Sequence, residues 1–184
     1  MRQMKDVVSE MELTESLRQF KCTKDHEIQT FLQEKAIQYE DRGWCSTYIL
    51  VNERKLEQER KLFVEGYFSL SNKVIELSNS ISKTKKKKLF NGLDKNDEYM
   101  HFILIGQLGK FIDEENLKST SEELSGEELL NQAFEIIFQV KERIVCNCVL
   151  IECKDDIKIR KIYENYGFQE LQKEDDLVQY IKFI

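Results

Sequence analysis

Apolar positions along the chain follow two periods, and the switches between them delimit the elements. Leu13, Leu17 and Phe20 fall at helical spacing. Ile28, Phe31, Leu32 and Tyr39 recur on one face of a longer amphipathic helix, with Thr23 or Asp25 placed to cap it. A short strand is expected ahead of these, at 5–9. Residues 46–51 (STYILV) read as a buried strand and 61–70 as another, with the charged NERKLEQERK between them as a hairpin connection. Over 71–96 the pattern thins into a polar, lysine-rich stretch. Residues 99–109 (YMHFILIGQLG) are so continuously apolar that a central strand covered on both faces is expected.

Ser125-Gly-Glu-Glu128 then has the form of a capping box, and Leu129, Leu130, Ala133, Phe134, Ile137 and Val140 give the helix behind it a broad apolar face. IVCNCVLIEC reads as a strand. Asp155 or Asp156 caps a further helix with Ile159, Ile162, Tyr163 and Tyr166 on one stripe, and Gly167 stands where a left-handed residue ends it. Strands at 168–171 and 177–184 close the chain. Helical crossovers beside a central strand predict a mixed sheet with helices on both faces.

Composition narrows the function classes. Of the 184 residues 41% are hydrophobic and 34% charged, enough for a core in a soluble chain, and the longest apolar runs are too short to span a bilayer. The first residues, MRQMKD, have no apolar h-region, so a cytoplasmic protein is expected. The net charge of −6 argues against a general nucleic-acid binder. It is unevenly spread: residues 1–92 hold 17 basic and 14 acidic side chains, residues 93–184 hold 11 and 20. The one basic feature is KTKKKK at 83–88, which reads either as a solvated mobile loop or as a phosphate contact. Five cysteines without a repeated CxxC unit are expected as buried free thiols; Cys146 and Cys148 on one strand face and Cys153 on the other do not converge on a metal.

The succession YMHFILIGQLGK, SGEELLNQAFEII, CVLIEC and KIRKIYENYGF resembles the C-terminal core of the GNAT superfamily of N-acetyltransferases. The ending I-Y-x-x-Y-G-F at 162–168 is similar to that family's L-Y-x-x-x-G-F. The turn I-G-Q-L-G-K at 105–110 is similar to the L-G-R-L-A-V turn of toxin-type members, which acetylate the amino group of aminoacyl-tRNA. The likeness runs from about residue 5 to 184.

The resemblance implies a single N-acetyltransferase domain over 1–184, of α/β (α+β) class. Its mixed, mostly antiparallel sheet would contain one parallel splayed pair, flanked by helices on both faces. It implies transfer of acetyl from acetyl-CoA to a primary amine by direct attack on the thioester, without a metal. Tyr163 falls on the tyrosine that gives a proton to the departing CoA thiolate. Leu108, Gly109 and Lys110 would face the pantetheine and the thioester carbonyl. Ser125, Gly126 and Glu127 would offer amides to the pyrophosphate, with Lys110 or Lys118 as counter-charges and Asp156 as a further cofactor contact. Ahead of Gly126 the matched positions are Ser121 and Leu124 instead of Gln/Arg and Gly. For a general base the options are His101, Glu65 or a bound water, and a substrate already partly deprotonated would also serve. A homodimer and a tRNA acceptor remain open, no membrane is implied, and a GNAT-fold binding protein without acetyl transfer is the alternative.

Overall fold

The computed structural model describes residues 10–79, 81–89, 99–113, 124–144 and 146–184. The strand expected at 5–9 lies outside these residues. Helix α1 (Glu10–Arg18) is followed by α2 (His26–Thr30), a π-helical turn (Phe31–Lys35) and α3 (Ala36–Asp41). Asp25 caps α2, its carboxylate accepting from the amides of Glu27 at 3.0 Å and Ile28 at 3.4 Å. The amphipathic helix read across 28–39 is therefore present but locally widened, and Phe31, Leu32 and Ala36 are all buried.

Strand β1 (Ser46–Val51) leads into a helix where a hairpin connection is expected. This α4 (Glu53–Glu59) is capped by Asn52, whose side chain accepts from the Lys55 amide at 2.8 Å, and it ends on Arg60 in the left-handed region (φ 52). Its Glu, Arg, Lys, Leu and Gln are all strong helix formers, a local preference stronger than the charge pattern suggests. Strand β2 (Val64–Glu76) continues six residues into the stretch read as featureless.

The lysine-rich segment is helix α5 (Lys83–Leu89), and it packs. Leu89 is buried, Lys85 Nζ donates to the Glu170 carbonyl, and the Lys88 ammonium lies 4.5 Å from the Phe183 ring centroid. The loop expectation is corrected by these three anchors. The remaining elements are β3 (Tyr99–Lys110), α6 (Gly126–Lys141), β4 (Cys148–Lys154), α7 (Ile157–Asn165), β5 (Gln169–Glu174) and β6 (Leu177–Phe183). Cys146 falls outside β4, and all five cysteines are free.

The six strands form one sheet in the order β1-β2-β3-β4-β6-β5. β1 runs antiparallel to β2, and β6 runs antiparallel to both β4 and β5. The parallel ladder of β3 with β4 covers Ile103↔Val149 to Ile105↔Ile151, and each strand runs on past it. The fold is the expected mixed, mostly antiparallel sheet with one parallel pair.

By internal contacts the chain divides into two compact units, with β2, β3 and α6 passing through both. Unit 1 comprises Met1–Leu70 and Gln107–Ala133. Its core gathers Leu13, Leu17, Phe20, Phe31, Leu32, Tyr67 and Phe111. Tyr67 is the centre: Phe20 meets its ring edge-on at 5.5 Å, Phe31 stacks at 6.0 Å, and its hydroxyl donates to the Ile28 carbonyl at 2.6 Å. Adjacent Gly66 faces the other way, where an added Cβ would lie 2.6 Å from Leu124 and 3.4 Å from Leu129. Within this unit the sheet is thus covered by α2 and the π-helical turn on one face and by the start of α6 on the other.

Unit 2 comprises Ser71–Gly106 and Phe134–Ile184. Here Ile75, Leu77, Leu89, Met100, Phe102, Leu150, Leu171 and Ile181 form the core. Lys73 and Glu152 pair at 2.6 Å, and Gln179 donates to Glu152 and Glu174.

Candidate active site

Most residues expected to meet the cofactor lie in unit 1. The Phe111 amide donates to the Glu65 carbonyl at 2.7 Å, which fixes the end of β3 against β2. Gly109 has no room for a side chain: a Cβ there would run into Cγ2 of Ile28 and lie 3.2 Å from Cε1 of Tyr67. Lys110 reaches from β3 to the segment before α6, its ammonium 3.3 Å from the Leu124 carbonyl. A cation is thereby brought to the entrance of α6. Lys118 lies outside the described residues.

The capping box forms as the sequence predicts. Ser125 Oγ accepts from the Glu128 amide at 3.0 Å, and Glu128 Oε2 lies 3.3 Å from the Ser125 amide. Gly126 and Glu127 occupy the first turn, where amides precede the i→i−4 ladder. Glycine is not required for space at 126, since nothing lies within 4 Å of an added Cβ. Gly126→Pro should therefore keep the helix, because proline suits its first position. It would remove one amide. Acetyl-CoA titrations should give the variant a higher Kd by about tenfold, at an unchanged Tm, for loss of one charge-assisted bond. An unaltered Kd would take the pyrophosphate away from this turn.

The other expected site residues belong to α7 in unit 2. Asp156 is the N-cap of α7, accepting from the Lys158 amide at 2.7 Å and the Ile159 amide at 3.3 Å. Tyr163 is half-buried, edge-on to Phe168 at 5.9 Å and tilted against Tyr180 at 6.4 Å. Burial, with the Cys153 thiol second, pushes its phenol up to about 12, so it stays protonated at neutral pH. The stripe read on this helix is only partly covered, for Ile162 is 51% exposed.

Arg160 anchors the helix. It pairs with Asp155 at 2.8 Å and Glu170 at 2.7 Å, and its Nε donates to the Tyr180 hydroxyl at 2.9 Å. That hydroxyl in turn donates to Glu164 at 2.7 Å. The helix ends at Gly167 (φ 95), and the Phe168 amide donates to the Tyr163 carbonyl at 3.0 Å. Tyr166 packs on Phe134 at 5.4 Å and under the Lys182 ammonium at 4.1 Å, a structural position. Of the general-base candidates, His101 is exposed and Glu65 accepts from the Asn52 amide group at 2.5 Å.

No family model matches the chain, and no curated protein matches it. Solved structures do. AtaT complexed with acetyl-methionyl-tRNAfMet aligns at TM-score 0.66 and 20% identity, over 89% of this chain and 85% of that one. A tyrosine-to-phenylalanine mutant of KacT aligns at TM-score 0.66 and 21% identity, over 89% and 85%. AtaTR bound with AcCoA aligns at TM-score 0.64 and 19% identity, over 90% and 86%. The chain has the GNAT fold. Within it, the strand carrying Leu108–Lys110, the capped helix α6 and the helix carrying Tyr163 are the elements on which the sequence resemblance rests. Arg160 is not legible in the sequence, because it declares itself only through partners on β5 and β6.

Proposed function

We propose that the chain is an acetyl-CoA-dependent N-acetyltransferase, working as one domain over residues 1–184, whose acceptor is the amino group of an aminoacyl-tRNA. The observation that carries the reading is Tyr163: a phenol kept protonated, on an anchored helix, within the I-Y-x-x-Y-G-F segment that resembles the proton-donor motif of GNAT enzymes. The acceptor nitrogen would attack the thioester carbon and form the new C–N bond. As the C–S bond breaks, Tyr163 would give its proton to the sulfur. Amides at Leu108–Lys110 would face the carbonyl oxygen, where negative charge builds. The first-turn amides of α6 and the Lys110 ammonium suit a diphosphate, while Glu127 and Glu128 oppose it.

The tRNA acceptor is supported by the AtaT complex and by α5. Lys83, Lys86 and Lys87 pair with no carboxylate among the described residues, although the chain carries a net charge of −6. Three like charges on two helical turns repel one another, and a phosphate backbone relieves that cost. Labelled acetyl-CoA and a tRNA pool charged with all amino acids should yield acetylated aminoacyl-tRNA. Replacing Lys83, Lys86 and Lys87 with Gln should leave Tm unchanged, weaken RNA binding and lower the salt slope by about one for each phosphate no longer neutralised. An unchanged slope would remove α5 from the RNA surface. The departures at Ser121 and Leu124 favour a second reading, a binding module without acetyl transfer. It would be preferred if acetyl-CoA binds and no acceptor is consumed.

A further inference from the structure

We infer that Gln107 holds the acceptor's amino group, its side-chain carbonyl accepting an N–H from the attacking amine; this rests on the reading above. Gln107 Oε1 is shut off from solvent and, among the described residues, has no hydrogen-bond partner. A buried carbonyl left unpaired costs roughly as much as a lost hydrogen bond, a cost that a ligand's N–H would remove.

The position of Gln107 says what that is. It lies on β3 two residues before Gly109, and alternate residues of a strand share a face. That face is the one on which Gly109 meets Ile28 and Tyr67, and on which Phe111 meets Phe20 at 6.0 Å. On β2 the same face carries Ser69, two residues after Tyr67, and on β1 it carries Thr47, paired with Ser69. Both are buried. Gln107, Ser69 and Thr47 therefore share that face of the sheet, all within unit 1 and beside the backbone assigned to the thioester.

An amine about to attack an acyl carbon must direct its lone pair at that carbon. Its N–H bonds then point away, and each needs an acceptor. A neutral amide oxygen supplies one without holding the nitrogen as an ammonium, as a carboxylate would. Gln107 is therefore assigned to orientation of the amine, and proton removal is left to another group or to water.

Gln107→Leu removes the acceptor and keeps the bulk; Gln107→Glu keeps an acceptor oxygen. With charged tRNA as substrate, Gln107→Leu should lose about tenfold or more in kcat/KM, the size of one hydrogen bond made to the reacting group. Its Kd for acetyl-CoA should match the parent's and its Tm should be equal or higher. Gln107→Glu should recover most of the rate at high pH. Parent-like kcat/KM for Gln107→Leu, together with a raised Tm, would make the carbonyl a mere unpaired group and overturn the assignment. If the parent acetylates no charged tRNA, the functional reading fails by itself. Gln107 is then decided by methioninamide, a small α-amine probe. A thermal shift present in the parent and absent in Gln107→Leu upholds the assignment, and equal shifts, or none, overturn it.

Discussion

Tyr163→Phe is expected to fold as the parent does, bind acetyl-CoA with the parent's Kd, and transfer acetyl at least about 10²-fold more slowly, the scale of a positioned general acid. The contacts of its ring with Phe168 and Tyr180 are edge and tilted-face contacts that phenylalanine keeps. Among the described residues the phenol oxygen takes part in no hydrogen bond that its loss would break. Stability should therefore change by well under 1 kcal/mol, and the loss should appear in kcat. Tyr166→Phe is the control on the same helix: its ring packs against Phe134 and Lys182, so turnover should stay at the parent's level. A Tyr163→Phe enzyme as fast as the parent would remove the phenol from the reaction.

Gly109→Ala should be the most damaging single-methyl change in unit 1. The added carbon collides with Ile28, a β-branched residue that cannot swing its methyl aside cheaply, and crowds the Tyr67 ring. Ile28 and Tyr67 are already joined through the Tyr67 hydroxyl at 2.6 Å, so displacing either strains that bond. Overpacking of this kind costs about 1–3 kcal/mol. For a domain of this size that lowers Tm by several degrees, and calorimetry reads it directly. Gly126→Ala, with open space at its Cβ, should leave Tm where it is or raise it slightly. Equal Tm values for the two alanine variants would refute the close approach of α2 to β3.

The elements that the sequence announces are those whose signal is local. The apolar run of β3, the Ser125–Glu128 box, the Asp25 cap and Gly167 at the end of α7 each depend on a few neighbouring residues, and each stands where it was read. Helices α4 and α5 were hidden because their charge resembles that of a loop. What orders α5 is Leu89, the Glu170 carbonyl and the Phe183 ring, the last two far along the chain. The π-helical turn leaves no mark on apolar spacing. The site divides the same way. Tyr163 was legible from its motif, whereas Arg160 needs partners on β5 and β6 and Gln107 becomes notable only once burial is known. The phosphate-loop match at Ser121 and the counter-charge Lys118 lie outside the described residues.

The chain contains a single tryptophan, and its placement has an optical consequence. Trp44 follows α3 in unit 1, 55% exposed, with the Arg42 guanidinium 4.8 Å above its ring and Tyr39 edge-on at 5.0 Å. Indole emission therefore originates wholly from unit 1, while the unit that holds Tyr163 contributes only tyrosine light. Ligand-induced changes in that emission, and denaturation curves followed by it, report on one unit by name. A circular-dichroism curve averages both. Where the two curves diverge, the units lose structure at different points, and where they coincide the chain melts as one.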